Sequence, residues 1–295
     1  MKKNEIILVT GSNGRIGRFI IPRLVGLGYK IRAAARDNKN IFKNCENMVI
    51  GNIDSTTHWH QALLDVHTVI HLAAKNQPFF DFKYFSRNVF NTNVLGTENL
   101  LDQCIKANVK NFIFLGSCSV YGPYSEIGKA FDVFSKFNPV DTYSKSKVLA
   151  EDIIKFKLLN SKCSFKIIRI PYVFFNYSQN NSILFKCVIN LTKFISLPID
   201  LKKNKRSIIV PNDLFLALLT SIREKEGCSK IILVRSSPDI SSFDILKKRF
   251  NLRSCKFSSY PLFLLNGLKK VPLVKKYTYK LICNFQIINS SKSKF

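Results

Sequence analysis

Alternation between two kinds of segment limits this chain more than any single residue does. Short apolar runs exchange with helix-length stretches from the start: EIILVT, a helix over about 15 to 27, KIRAAA, NMVIG, a helix near 56 to 65, TVIHLAA, a long helix near 83 to 107, NFIFLGS, a helix bearing Tyr143 and Lys147, and FKIIRI. Such repetition predicts the α/β class, a doubly wound parallel sheet with helices on both faces. After IRIPYV the pattern loosens through FFNYSQNN and the basic stretch KKNKRS; SIIV, a helix near 213 to 224 and KIILV then restore it. At 295 residues the chain exceeds the usual single domain. Residues 1–173 and 207–235 are expected to form the sheet domain. Residues 174–206 and 236–295 are expected to build a smaller C-terminal lobe, with a ligand cleft between the two.

Directly after the first run comes TGSNGRIG, which sets Gly11, Gly14 and Gly17, with Asn13 and Ile16 between them, at a strand-to-helix junction. Glycine lets the backbone approach a pyrophosphate, and the helix N-terminus beyond it offers free amide donors and partial positive charge. Opening a βαβ unit, this triplet reads as a Rossmann-type dinucleotide site. Dinucleotide folds that take NAD usually end the second strand with an acid that binds the ribose hydroxyls. Here that position is Ala35, followed by Arg36. A guanidinium in place of a carboxylate favours the 2′-phosphate of NADP over NAD, although Asp37 is near enough to swing in.

The stretch DTYSKSKVLAE spaces Tyr143 four residues ahead of Lys147. On a helix these share one face, and a nearby cation lowers a phenol's pKa, so the pair reads as a proton-transfer group. Solvated helix faces also produce this spacing by chance, so the rest of the chain must decide.

Composition narrows the partners. Eight cysteines include no CxxC pair, and His58, His60, His67 and His71 lack cysteines or paired carboxylates to complete a ligand set. Disulfide frameworks and a metal are not expected, and a reducing cytoplasm is the inferred compartment. The net charge of +27 admits nucleic acid or an anionic membrane. Joint enrichment in Lys, Asn, Ile and Phe instead reads as AT-rich codon usage at neutral surface positions, so nucleic acid is not the expected partner. No apolar run approaches the roughly 18 residues of a membrane span. From Ile245 to Phe295, however, twelve Lys or Arg and no Asp or Glu are interleaved with runs such as YPLFLLNGL. That segment either lies peripherally on the inner face of an anionic membrane or packs its apolar residues into the lobe.

Taken in order, TGxxGxxG, HLAA at 71 to 74, NVLGT at 93 to 97, GSCSVYG at 116 to 122 and YSKSK at 143 to 147 resemble the extended short-chain dehydrogenase/reductase family, in its nucleotide-sugar epimerase/dehydratase branch. The likeness extends to KNKRSIIVPNDL near 203 to 214, which is similar to the family's substrate-phosphate segment. The resemblance implies Tyr143 as catalytic base, Lys147 as holder of the nicotinamide ribose and depressor of the tyrosine pKa, and Ser117 as hydrogen-bond partner of the reacting sugar oxygen. Ser119 would be a neighbouring substrate contact, Asn93 would prop the site, Arg206 would grip the substrate diphosphate and Asn181 would touch the nucleotide. Further cofactor contacts are implied at Asn52, Ile53, Leu72, Ala73, Ala74, Pro171 and Val173. Two departures stand out: VFFN at 173 to 176 where the family has VYGP, and GNID at 51 to 54 at the adenine contact.

Family dehydratases carry an Asp–Glu pair directly after the active-site hydroxyl, because eliminating water needs an extra acid and base. This chain has Cys118 and Ser119 there. The resemblance therefore implies a 4-epimerase for a UDP-hexose or UDP-N-acetylhexosamine, working through a 4-keto sugar in surface-polysaccharide synthesis. An NADPH-dependent 4-keto-sugar reductase is the alternative, and a non-catalytic dinucleotide- or RNA-binding protein is a third reading. A homodimer is compatible with each.

Overall fold

The computed structural model describes residues 5–39, 41–76, 83–126, 128–175, 197–198, 204–250, 257–258 and 283–289. Asn181 and most of the basic segment after 250 lie outside them. Seven parallel strands form the central sheet: β1 (Ile6–Thr10), β2 (Lys30–Ala35), β3 (Glu46–Val49), β4 (Val66–His71), β5 (Asn111–Ser117), β6 (Ser164–Ile170) and β7 (Lys230–Leu233). Their order is β7-β6-β5-β4-β1-β2-β3. Strand order therefore reverses between β1 and β4. Ligands of open α/β sheets bind at the carboxyl ends of the strands flanking such a point.

Strands buried on both faces are mostly apolar along their length, as IILVT and NFIFLGS largely are, and β6, buried throughout, carries Lys166 and Arg169 only as hydrogen-bonded side chains. One face is covered by α2 (His60–Leu63), α4 (Gly96–Lys106) and α5 (Thr142–Leu158), through Ala62, Leu100, Leu101, Cys104, Ile154 and Leu158. The other is covered by α1 (Arg15–Gly26) and α6 (Pro211–Arg223), through Ile20, Ile21, Leu24, Leu214, Leu218 and Ile222. Pro211 opens α6, where its missing N–H costs nothing.

Two helices differ from expectation. The helix expected near 56 to 65 shrinks to α2, because Asp54 and Thr57 fold the preceding residues into a hydrogen-bonded turn. The Thr57 hydroxyl accepts from the Asp54 amide at 2.9 Å and donates to the Asn52 carbonyl at 3.0 Å. The long helix near 83 to 107 is present but interrupted: α3 (Lys83–Phe90) runs through a π-helical turn, Asn91–Leu95, into α4. Of the C-terminal pieces, Arg206 bridges the backbones of Ile240 and Phe285, and Ile287 bridges Phe131. The helix α7 (Ser242–Phe250) follows Ile240.

Candidate active site

The turn after β1 closes on itself at distances that exclude side chains. Gly11 has φ +69°, and a Cβ there would lie 2.7 Å from the Ala73 amide nitrogen, so the turn abuts the Leu72–Ala73–Ala74 exit of β4. A Cβ on Gly17 would lie 2.3 Å from the Ser12 carbonyl oxygen. The result is bare backbone in front of the α1 N-terminus, with Gly14 as its N-cap and no acidic residue in the first turn. Ile16 is half-buried against the core behind this turn. Asn13 reaches across to the exit of β2, donating to the Asp37 carbonyl at 2.9 Å and to its carboxylate at 3.2 Å. The Asn13 Oδ1 is buried and accepts from nothing among the described residues. Arg36 is largely exposed, 3.8 Å from the Asp37 carboxylate.

At the exit of β5, Ser117 caps the short 3₁₀ turn Cys118–Tyr121, accepting from the Ser119 amide at 3.2 Å, and its hydroxyl lies 2.9 Å from that of Ser119. Helix α5 starts beside it with a capping box in which Asp141 and Ser144 satisfy each other's backbone. Tyr143, in the first turn of α5, hydrogen-bonds Ser117. Ser146 donates to the Tyr143 carbonyl at 2.7 Å and accepts from Asn93 at 3.0 Å. Asn93 sits in the π-turn, which projects it out of helical register, and it also pairs both ways with the Lys75 backbone at 2.8 and 2.9 Å. The structure thus brings Ser117, Tyr143, Lys147 and Asn93 together, with Ser119 adjoining.

The electrostatics depart from expectation. Desolvation pushes the Tyr143 phenol up to about 12, with the Ser117 hydrogen bond pulling the other way. Lys147 is not the group that lowers it. Its ammonium donates to the Leu115 carbonyl at 2.9 Å and lies 4.4 Å from the Phe114 ring centroid, against 5.9 Å for the Tyr143 ring. Burial brings Lys147 itself down to about 8.

The sequence matches the model of the NAD dependent epimerase/dehydratase family over residues 7–232. The chain belongs to that family. It is 28% identical over 256 residues to a UDP-glucose 4-epimerase of Vibrio cholerae, covering 84% of this chain and 75% of that one. Among solved structures it resembles MoeE5 in complex with UDP-glucose and NAD, with TM-score 0.69 and 21% identity over 85% of this chain and 84% of that one. It also resembles the UDP-glucose 4-epimerase of Thermotoga maritima with UDP-glucose, with TM-score 0.71 and 17% identity over 97% and 90%. At those identities the two structures show a shared fold.

An epimerase/dehydratase-family site must hold a dinucleotide, and the residues present fit one. The glycine turn is a cradle that any Cβ would fill, and the orphaned Asn13 acceptor is placed for a hydroxyl donor. Asn52 and Ala74 are exposed, Ile53, Leu72, Ala73 and Val173 half-buried, and Pro171 buried. Ile53 also packs against Gly96, where a Cβ would sit 2.6 Å from its Cγ2. The VFFN departure has a structural counterpart: Phe175 packs edge-on to Phe19 at 6.4 Å and lies under the Arg15 guanidinium at 5.4 Å. Sequence reasoning missed Arg15 and the Glu151–Arg169 pair, and weighed His71 only as a metal ligand and as the start of HLAA. An Arg at the first position of α1, and a Glu four residues beyond Lys147, were the available signals. Arg206 is away from this cluster in sequence and in secondary structure, donating to the Cys283 carbonyl at 2.9 Å and stacking at 5.5 Å on Phe285.

Proposed function

We propose that this chain is an NAD(P)-dependent 4-epimerase of a UDP-hexose or UDP-N-acetylhexosamine, serving surface-polysaccharide synthesis. The observation that carries the reading is the Ser117–Tyr143 contact with Lys147 one turn away, in a chain whose residues after Ser117 are Cys118 and Ser119 rather than an acid pair. Ser117 would hold the C4 oxygen of the sugar while Tyr143, as a phenolate that the positive charge of a bound oxidised nicotinamide would favour, takes its proton and later returns it, giving and then consuming a 4-keto sugar. The glycine turn, Asn13, Lys147 and Asn93 would hold the dinucleotide, whose nicotinamide supplies the reversible hydride acceptor. The similarity to the Vibrio UDP-glucose 4-epimerase supports the substrate class. Residues 174–206 and 236–295 are proposed as the sugar-nucleotide lobe, with Arg206 on the diphosphate.

The exposed Arg36 beside Ala35 supports a second reading, a 4-keto-sugar reductase preferring NADPH. One assay separates the two. Purified protein given UDP-hexoses without added cofactor inverts C4 if it is an epimerase. Silence until NADPH and a 4-keto sugar are supplied marks the reductase. In either case Tyr143→Phe should fold, keep its dinucleotide affinity, and lose about 10²–10⁴-fold in turnover. Wild-type turnover by that variant would overturn the assignment of the base.

A further inference from the structure

Beneath the catalytic helix face lies a fully buried ion pair that the proposed reaction does not use directly. Glu151 on α5 is wholly buried and Arg169 on β6 nearly so. The Arg169 Nε donates to the two Glu151 oxygens at 3.3 and 3.0 Å, and its Nη2 donates to Oε2 at 2.7 Å. The remaining Nη1 donates to the Tyr121 hydroxyl at 2.6 Å and to the Val133 carbonyl at 3.2 Å. Arg169 is the sheet neighbour of Gly116, where a Cβ would come 2.9 Å from Glu151 Oε1. The pair thus touches the residue before Ser117, the turn carrying Ser119, and the helix carrying Tyr143 and Lys147.

Glu151 is also four residues beyond Lys147 on the same buried face, the spacing at which a lysine and a glutamate ordinarily join. They do not join here. Among the described residues Lys147 makes no ion pair, and its ammonium has only the Leu115 carbonyl and the Phe114 ring. We propose that Arg169 is a positioning residue for Lys147: by engaging both oxygens of Glu151 it withholds the carboxylate from Lys147 and leaves that ammonium available to the cofactor ribose. This rests on the dinucleotide reading above and adds to it a second layer that sets where the lysine charge goes.

Among the described residues, Tyr143 and Glu151 on its own helix and His71 at the end of β4 face Lys147, while Lys155 on the same helix, Cys118 and Tyr121 in the 3₁₀ turn and Arg169 on β6 surround Glu151. His71 is neutral and buried, and burial pushes the Cys118 thiol and the Tyr121 phenol up, so both stay protonated. Glu151 is therefore the charge that acts directly on the lysine; burial raises its own pKa, and the Arg169 guanidinium is the largest influence holding it ionised. Burial lowers Lys147 and Glu151 raises it. A ribose hydroxyl held by the ammonium is lost as Lys147 deprotonates, so dinucleotide affinity should fall as pH rises through an alkaline limb.

The test is the dissociation constant of NAD, and of NADP, measured by calorimetry from pH 6.5 to 10 on the full chain. Glu151→Gln removes the only anion among the described residues that supports the ammonium, and its limb should move down by about one unit or more. Arg169→Gln frees Glu151 to pair with Lys147, so its limb should move up by a similar amount, with weaker binding at neutral pH because the ammonium turns away. If either single variant fails to fold by near-UV circular dichroism, Glu151→Gln/Arg169→Gln removes both charges, and its limb should stay close to the wild-type value. Limbs that shift in the same direction, limbs that do not shift, or a double variant displaced by a full unit would overturn the proposal. A wild-type protein that binds neither dinucleotide overturns the dinucleotide reading, and this inference with it.

Discussion

His71 stands at the end of β4 with one ring nitrogen 2.7 Å from the Thr10 hydroxyl and the other 3.1 Å from that of Thr97. The Thr97 proton is given to the Asn93 carbonyl at 2.8 Å, so Thr97 must accept from His71 Nε2, and Nδ1 must accept from Thr10. The ring is thus fixed as one neutral tautomer linking β1, β4 and the π-turn that carries Asn93. Burial, with the Lys147 charge adding, drives its pKa down to about 3. The folded chain therefore binds fewer protons than the unfolded one between about pH 3 and 6.5, so this contribution to stability is present above 6.5 and is lost as pH falls toward 3. By pH 4.5 the loss should reach roughly 2–3 kcal/mol. Urea unfolding at pH 7 and 4.5 checks this, with His71→Gln as reference: the variant should be less stable at pH 7 but lose less on acidification. Equal acid losses in both proteins would refute it. The Tyr143–Lys147 spacing was legible in the sequence, but the charge states were not, because they depend on Leu115, Phe114 and Glu151, which only folding brings near.

At the scale of elements, the strand–helix alternation was legible because the buried strands are dominated by apolar residues, even where a partnered polar residue such as Arg32, His71 or Arg169 interrupts the run. The π-turn and the shortened α2 were not. Each rests on side chains that capture backbone groups, Asn93 with Lys75 and Thr57 with Asp54 and Asn52, and such capture leaves hydrophobic periodicity untouched. The glycine turn was legible as a motif, and the structure adds a ranking among glycines of one helix. Gly17 has Ser12 backbone atoms where its Cβ would go, whereas Gly26, at the far end of α1, has nothing within 4 Å. Gly17→Ala should force the turn open, costing about 1–3 kcal/mol in stability and at least about tenfold in dinucleotide affinity. Gly26→Ala should instead gain about 0.5–1 kcal/mol from helix propensity and bind normally. Thermal unfolding and calorimetry on both variants read this out; indistinguishable behaviour of the two would refute it.

Across the whole molecule, the segments at 204–207, 235–242 and 283–289 are sewn together by backbone bonds and by a polar web centred on Asp239. That carboxylate accepts from Ser207 at 2.7 Å, Arg235 at 2.8 Å and Gln286 at 2.8 Å. Arg206 lies within this assembly, joined to it by its backbone as well as by its side chain's contacts with Cys283 and Phe285. The Arg206 backbone exchanges bonds of 2.9 and 3.0 Å with Ile240 whatever side chain is present. Its guanidinium has a single carbonyl acceptor, Cys283, and no carboxylate partner among the described residues, and burial lowers its pKa to about 10. A partly buried cation with no anion among the described residues has electrostatic demand to spare, and a sugar-nucleotide diphosphate would meet it with two parallel hydrogen bonds. Arg206→Lys keeps the charge but loses the planar fork. It should raise KM for the UDP-sugar by about tenfold, with kcat and NAD affinity nearly unchanged, and Arg206→Gln should raise KM by about tenfold more. Melting temperatures close to wild type would show that the web around Asp239 survives. Inhibition by free UDP should weaken in parallel, because UDP shares the diphosphate and lacks the sugar. If KM and UDP inhibition stay at wild-type values in both variants, Arg206 does not bind the diphosphate.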